Sequence, residues 1–228
     1  ALAGVLAASM LFTGCSKKAE SKVPDKLIVG TNAEFPPFEY MNDKKQPEGF
    51  DIAMIKEIGK RMGKKVEIKN MEFKSLIGAM ESDSINAIIA GMTKTEKREK
   101  AVDFSDSYYT TNQAIILKKD SKITKLAQLD GKKIGVQEGT TGDLISSGDK
   151  FGDGKKAKVL VKGAKVKRFK KGVDAVMDLK NGSVDAVVID ELTANEFVKK
   201  NAKKLKIVID SAGSEYYCIA LTKGNTAY

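Results

Sequence analysis

Two charged residues in opposite halves of the chain carry the first chemical suggestion. Arg98 stands in the polar run TEKREK, where Thr95 can cap a short helix by accepting an orphan N–H of its first turn. A guanidinium there could grip a carboxylate with its forked donors, favoured by the helix dipole, or it could hold an ordinary surface ion pair. Asp190 follows the apolar run VDAVVI. An acid at the carboxyl end of a strand could meet an ammonium group, and could equally cap the next helical segment, ELTANEFVKK. Phe35 lies in a Pro-rich loop that does not read as core, whereas Phe73 could face a ligand or pack under its own helix.

Other chemistries lack their residues. The chain has no histidine, which removes the Ser-His and Cys-His nucleophiles and every zinc site that needs an imidazole. Cys15 and Cys218 stand at opposite ends, so no disulfide framework follows. The run GDGK at 152–155 misses a phosphate loop twice, because Asp149 replaces its first glycine and Lys156 its final Ser or Thr. Read as a calcium loop from Asp149, it would put Phe151 and Leu160 at ligand positions, so residues 151–158 read as a plain loop. No metal or cofactor is expected. Paired carboxylates could still do acid–base work.

The net charge of +10 raises the question of a nucleic-acid partner. Apart from Arg61, Arg98 and Arg168 the basic residues are lysines spread along the chain, without interleaved stacking aromatics. They read as a solvated surface, and no nucleic-acid partner is expected. With 228 residues, 42% hydrophobic and 31% charged, the composition is globular, with room for one large domain or two small ones.

The start of the chain reads as targeting. Residues 1–13 form an uncharged apolar run about half the length of a membrane span, which suits the core of a signal peptide. The expected initiator Met and basic segment are missing, so a truncation is expected there. FTGC at 12–15 resembles a bacterial lipobox, in which Cys15 would be lipidated. Residues 1–14 are then a signal remnant, 15–25 a polar tether, and the lipid the sole membrane contact, outside the cytoplasmic membrane.

Short β-rich runs alternate with helical patterns from Lys26 onward, which predicts α/β layers with mostly parallel strands. The first round is strand 26–30, helix 50–62 with Ile55, Ile58 and Met62 on one face, strand 65–71, helix 75–81 and strand 85–90. The second is strand 133–137, a helix from 141, strand 165–169, helix 173–179 with Val173, Val176 and Met177 on one side, and strand 184–189. INAIIA and VDAVVI echo one another, so two lobes of related topology are expected: 26–110 with 217–228, and 111–216. Extended runs at 113–117 and 214–220 would make the two crossings, with a cleft between the lobes.

Taken together, TNAEFPPFEY, EGFDIAMIKEIGKRMG, AGMTKTEKREKAVDFSDSYY, LDGKKIGVQEGTTGD, NGSVDAVVIDELTAN and SEYYCIAL resemble family 3 of the bacterial extracellular solute-binding proteins, in particular its arginine and glutamine binders. The resemblance implies a two-lobed type II periplasmic-binding-protein fold with a two-strand hinge, and a final segment of the first lobe beyond Tyr228. It also implies a monomer that captures a free amino acid and delivers it to an ABC permease and its ATPase. By the same resemblance Arg98 clamps the ligand carboxylate with Thr93 and Thr141 beside it, and Asp190 meets the ammonium with Gly91 and Thr93. Phe35 and Phe73 sandwich the ligand side chain, Asn32 and Glu39 read its tip, and Ala90, Gln137 and Thr140 complete the lining. Glu39 suggests a basic ligand, although relatives matched to arginine or lysine carry an acid at the position of Asn32. Two rivals stay open: a dehydratase-like enzyme on the same fold, which turnover would reveal, and a basic surface adhesin, which salt-dependent binding to a polyanion would reveal.

Overall fold

The computed structural model describes residues 23–148, 161–209, 214–225 and 227. The signal remnant, Cys15, most of the tether and the loop at 151–158 lie outside the described residues.

Two βα rounds build the framework. The first runs β1 (Lys26–Thr31), β2 (Glu34–Phe35), β3 (Glu39–Met41), β4 (Pro47–Glu48), α1 (Phe50–Arg61), β5 (Lys65–Asn70), α2 (Leu76–Glu81), β6 (Ala87–Ile88), α3 (Glu96–Ala101) and β7 (Val102–Thr111). The second runs β8 (Gln113–Lys118), β9 (Lys133–Gln137), α4 (Thr141–Ser147), β10 (Lys165–Phe169), α5 (Gly172–Asn181), β11 (Ala186–Asp190), α6 (Glu191–Lys199) and β12 (Leu205–Ile209). The chain then returns as β13 (Glu215–Thr222).

The strands form one five-stranded sheet in the order β5-β1-β6-β13-β7 and another in the order β10-β9-β11-β8-β12, with β2-β3-β4 as a small separate sheet. In each large sheet the first two pairings are parallel and the last two antiparallel. The sheets are therefore mixed rather than mostly parallel. Parallel pairs need helical crossovers, supplied by α1 and α2 in one lobe and by α4 and α5 in the other. The fourth strand of each sheet is a crossing strand: β8 follows β7 through Asn112, and β13 returns after β12. The echo between INAIIA and VDAVVI is thus topological, since β6 and β11 hold the same place in their sheets.

Several local expectations change. The buried stripe of α5 is Gly172, Ala175, Val176 and Leu179, while Val173 and Met177 are 38% and 55% exposed. Gly172 decides the register: a Cβ there would come within 2.7 Å of Ile189 Cδ1, so the helix approaches the sheet through its smallest residue. On α1 the buried positions are Asp51, Ile52, Ile55 and Gly59, and Met62 lies beyond the helix, 38% exposed. The run 85–90 is buried except for the partly exposed Asn86, yet only Ala87–Ile88 ladders as a strand; Asn86 N–H and Ile89 N–H bond the carbonyls of Ile28 and Gly30 on either side. Strands β2 to β4, the whole of β7, and β12 were not anticipated. An apolar cluster that includes Phe35, Phe38, Tyr217, Ala114, Val176 and Ile189 joins the two lobes through the crossing strands.

Candidate functional site

Arg98 is the buried residue of α3, only 6% exposed in a helix whose other members, Ala101 apart, are polar and at least partly solvated. Thr95 caps that helix through its hydroxyl, accepting from Arg98 N–H at 3.2 Å. The Arg98 side chain turns inward. Nη1 donates to the Thr93 carbonyl at 2.6 Å, Nη2 donates to the Gly139 carbonyl at 3.0 Å, and the guanidinium carbon lies 5.2 Å from the centre of the Phe73 ring. Burial pulls its pKa down to about 10, against the pull of Glu215 and Asp190, so it stays charged at neutral pH.

Asp190 ends β11 opposite Gln113 of β8. Its backbone stands at the start of α6, but its side chain makes no capping bond there. Gln113 Nε2 donates to Oδ1 at 2.8 Å instead, and the Tyr217 hydroxyl donates to Oδ2. Of the two roles open to this acid, side-chain capping is therefore excluded. Burial and the charge of Glu215 push its carboxyl up to about 7, against Tyr217, Gln113 and Arg98, which hold it down.

The remaining side chains are placed by tight backbone. Gly91 has φ 51, and a Cβ there would come within 3.2–3.3 Å of the Phe35 and Tyr217 rings, so the turn after β6 needs glycine. Its N–H donates to Asp51 Oδ2 at 2.8 Å, on the buried side of α1, and the same oxygen takes the Tyr108 hydroxyl at 2.7 Å. Gly142 lets α4 sit close on β11, since a Cβ would meet Gln113 Oε1 and the Val188 carbonyl at 2.9 Å. That approach sets Thr140 and Thr141 beside Asp190. Gln137 ends β9 and donates across the cleft to Asn32 Oδ1 at 2.8 Å, while Asn32 Nδ2 donates to the Met71 carbonyl at 2.8 Å.

Asn32, Phe35, Phe73, Ala90, Gly91, Thr93, Arg98, Gln137, Thr140, Thr141 and Asp190 line one cavity between the lobes, about 280 Å³ including its mouth. The structure thus brings together all the expected lining residues except Glu39. Glu39 is fully buried in β3, where its carboxyl abuts that of Asp51, and it does not line the cavity. It is separated from the expected place at a ligand tip because β3 turns that side chain inward, toward α1.

Gln113, Tyr217 and Glu215 were not anticipated. Gln113 and Tyr217 bond Asp190, and Glu215 accepts from Thr93 and Thr141. The one local signal for such supports is a polar group at a position whose neighbours are apolar. Gln113 heads the otherwise apolar strand start QAIIL in this way, and Asp51 stands beside Ile52 on the buried face of α1.

The Arg98 guanidinium and the Asp190 carboxyl thus face one small cavity from different lobes. The model of the bacterial extracellular solute-binding proteins, family 3, matches residues 27–217, which include every cavity-lining residue. The chain belongs to this family. Among relatives of this solute-binding protein, the arginine-binding extracellular protein ArtP of Bacillus subtilis (strain 168) is 34% identical over 216 residues, covering 94% of this chain and 80% of ArtP. Among solved structures, an ancestral arginine-binding protein bound to arginine superposes with a TM-score of 0.80 at 43% identity, covering 89% of this chain and 87% of that one. An ancestral arginine-binding protein bound to glutamine matches with a TM-score of 0.79 at 42% identity over 90% of this chain and 87% of its own. The fold of this family 3 solute-binding protein is that of those two-lobed binders.

Proposed function

We propose that this solute-binding protein captures a polar L-amino acid, with arginine the leading candidate, and presents it to an ABC permease and its ATPase without altering it. The observation that carries the reading is that Arg98 and Asp190, from different lobes, line a single cavity. A guanidinium suits the α-carboxylate and a buried aspartate suits the α-ammonium, so a zwitterion held between them would draw the lobes together. The arginine-binding relatives named above support the choice of side chain. On this reading the ring of Phe73, already beside a guanidinium, offers a face to a planar ligand tip together with Phe35. The extracellular character of the family supports a location outside the cytoplasmic membrane, and lipidation at Cys15 would supply the anchor.

The deciding experiment is a thermal-shift screen with the twenty amino acids, ornithine and cystine. A ligand of the native state at 1,000 times its Kd adds roughly 4 kcal/mol of stability, so arginine or another basic amino acid should raise the melting temperature clearly, and Arg98→Ala should erase the rise. A screen in which no amino acid moves the melting temperature would refute the reading. Incorporation of labelled palmitate by cells expressing the protein, lost in Cys15→Ala, tests the anchor.

A further inference from the structure

Glu215 opens β13, where the chain rejoins the first sheet. Its carboxylate oxygen Oε2 accepts the hydroxyl proton of Thr93 at 2.8 Å and that of Thr141 at 2.6 Å. Thr93 follows β6 in the first lobe, and Thr141 opens α4 in the second, so a single oxygen on a crossing strand spans both walls of the cavity.

A threonine hydroxyl has one proton and two lone pairs. With both protons directed at Glu215, neither hydroxyl has a proton left for a ligand carboxylate, and each can offer the ligand only a lone pair. Thr141 already spends one accepting from Gln113 Nε2 at 3.1 Å. Lone pairs suit an ammonium, which leaves the carboxylate to Arg98 and to backbone N–H groups.

The charge of Glu215 matters as well. Arg98 brings one positive charge to the cavity; once Asp190 is ionised against a ligand ammonium, it and the neighbouring Glu215 carboxylate oppose that charge with two negative ones. Burial first, and the charge of Glu215 second, raise the Asp190 carboxyl. A ligand with one net positive charge balances this set, while its neutral isostere leaves one negative charge beside the cavity uncompensated, and Glu215 is only partly exposed to screening water.

We propose that Glu215 is a positioning residue that orients the Thr93 and Thr141 hydroxyls from the crossing strand, and that its charge sets a preference for cationic over neutral amino acids. The proposal rests on the functional reading above.

Isothermal titration of L-arginine and of citrulline, its neutral isostere, into the wild type, Glu215→Gln and Glu215→Ala tests it. Wild type should bind arginine more tightly than citrulline. Glu215→Gln keeps a carbonyl oxygen for the two hydroxyls and loses the charge, so arginine should weaken about tenfold, the worth of roughly 1.4 kcal/mol, while citrulline changes less than about twofold. Glu215→Ala loses both features and should weaken both ligands about tenfold or more. An arginine-to-citrulline ratio unchanged in Glu215→Gln would overturn the charge role, and unchanged affinities in Glu215→Ala would overturn the positioning role. Should Glu215→Ala fail to fold, the ratio measured in Glu215→Gln decides alone. Wild-type protein that binds no amino acid would instead refute the underlying functional reading, a result told apart because it appears before any substitution is made.

Discussion

Arg98 reaches across the cleft to Gly139, donating from Nη2 to its carbonyl oxygen at 3.0 Å. Gly139 lies in the turn between β9 and α4 with φ 80, so the carbonyl that meets the guanidinium is set by a left-handed residue of the other lobe. The guanidinium is thereby tied to both halves of the molecule.

Replacing Arg98 by lysine keeps the charge and removes the fork. A point ammonium cannot serve the Thr93 and Gly139 carbonyls and a ligand carboxylate together. Titration calorimetry should show every amino acid weakened by about 2–5 kcal/mol, irrespective of its side chain. Wild-type affinity in Arg98→Lys would show that no fork is needed.

Binding should depend on pH through Asp190. Its carboxyl lies near pH 7 chiefly because it is buried, and it must be ionised to meet an ammonium. Affinity should therefore be nearly constant above about pH 8 and fall toward a tenfold loss per unit as pH drops below about 7. Calorimetry between pH 5.5 and 8.5 would report proton release on binding at the acidic end; Asp190→Asn should show weak binding with no such slope.

Glu39 and Asp51 form a buried carboxyl pair in which Glu39 Oε1, Glu39 Oε2 and Asp51 Oδ1 meet no protein donor. One shared proton would join them, and burial with the neighbouring Asp51 charge raises the Glu39 carboxyl well above the usual range. Because the folded value lies above the unfolded one, the associated stability is present at low pH and is lost as pH rises through the folded value. Glu39→Gln supplies a permanent donor to Asp51. Its melting temperature should fall less with rising pH than that of wild type, whereas Glu39→Ala should be less stable by about 2–4 kcal/mol. Parallel pH profiles for wild type and Glu39→Gln would exclude a shared proton.

Among the described residues, three ion pairs cross the rim of the cleft: Lys74 with Glu138 at 2.9 Å, Lys170 with Glu72 at 2.6 Å and Lys171 with Glu34 at 2.6 Å. All are substantially exposed, so each contributes little and is screened by salt. The double substitution of Lys170 and Lys171 by alanine should weaken ligand binding by about two- to fivefold at low salt, and the difference should vanish near 1 M salt. A salt-independent loss would point to packing instead.

Strands β1, β9 and β10 and the capping role of Thr95 were legible because each rests on local signals: alternating or unbroken apolar runs, and a hydroxyl before a polar helix. Strand β7 was not, since the ten-residue run VDFSDSYYTT carries few buried positions and becomes a strand by pairing with β13, more than a hundred residues away. Helix faces were misjudged where neighbouring apolar residues offered two registers; close approach at Gly172 selected one of them for α5.

At the cleft the chain's order of motifs carried the resemblance to the family, and that resemblance implied the two lobes and the eleven residues that line one cavity, because the motifs themselves are written locally. Tertiary structure alone decided how they are held. Glu39 went to Asp51 rather than to the cavity, and Asp190 took Gln113 and Tyr217 as partners instead of capping α6. Glu215 came from the far end of the chain to bond Thr93 and Thr141. Such partnerships depend on which crossing strand lies beside which sheet, a long-range choice made by burial and register that no short window of sequence contains.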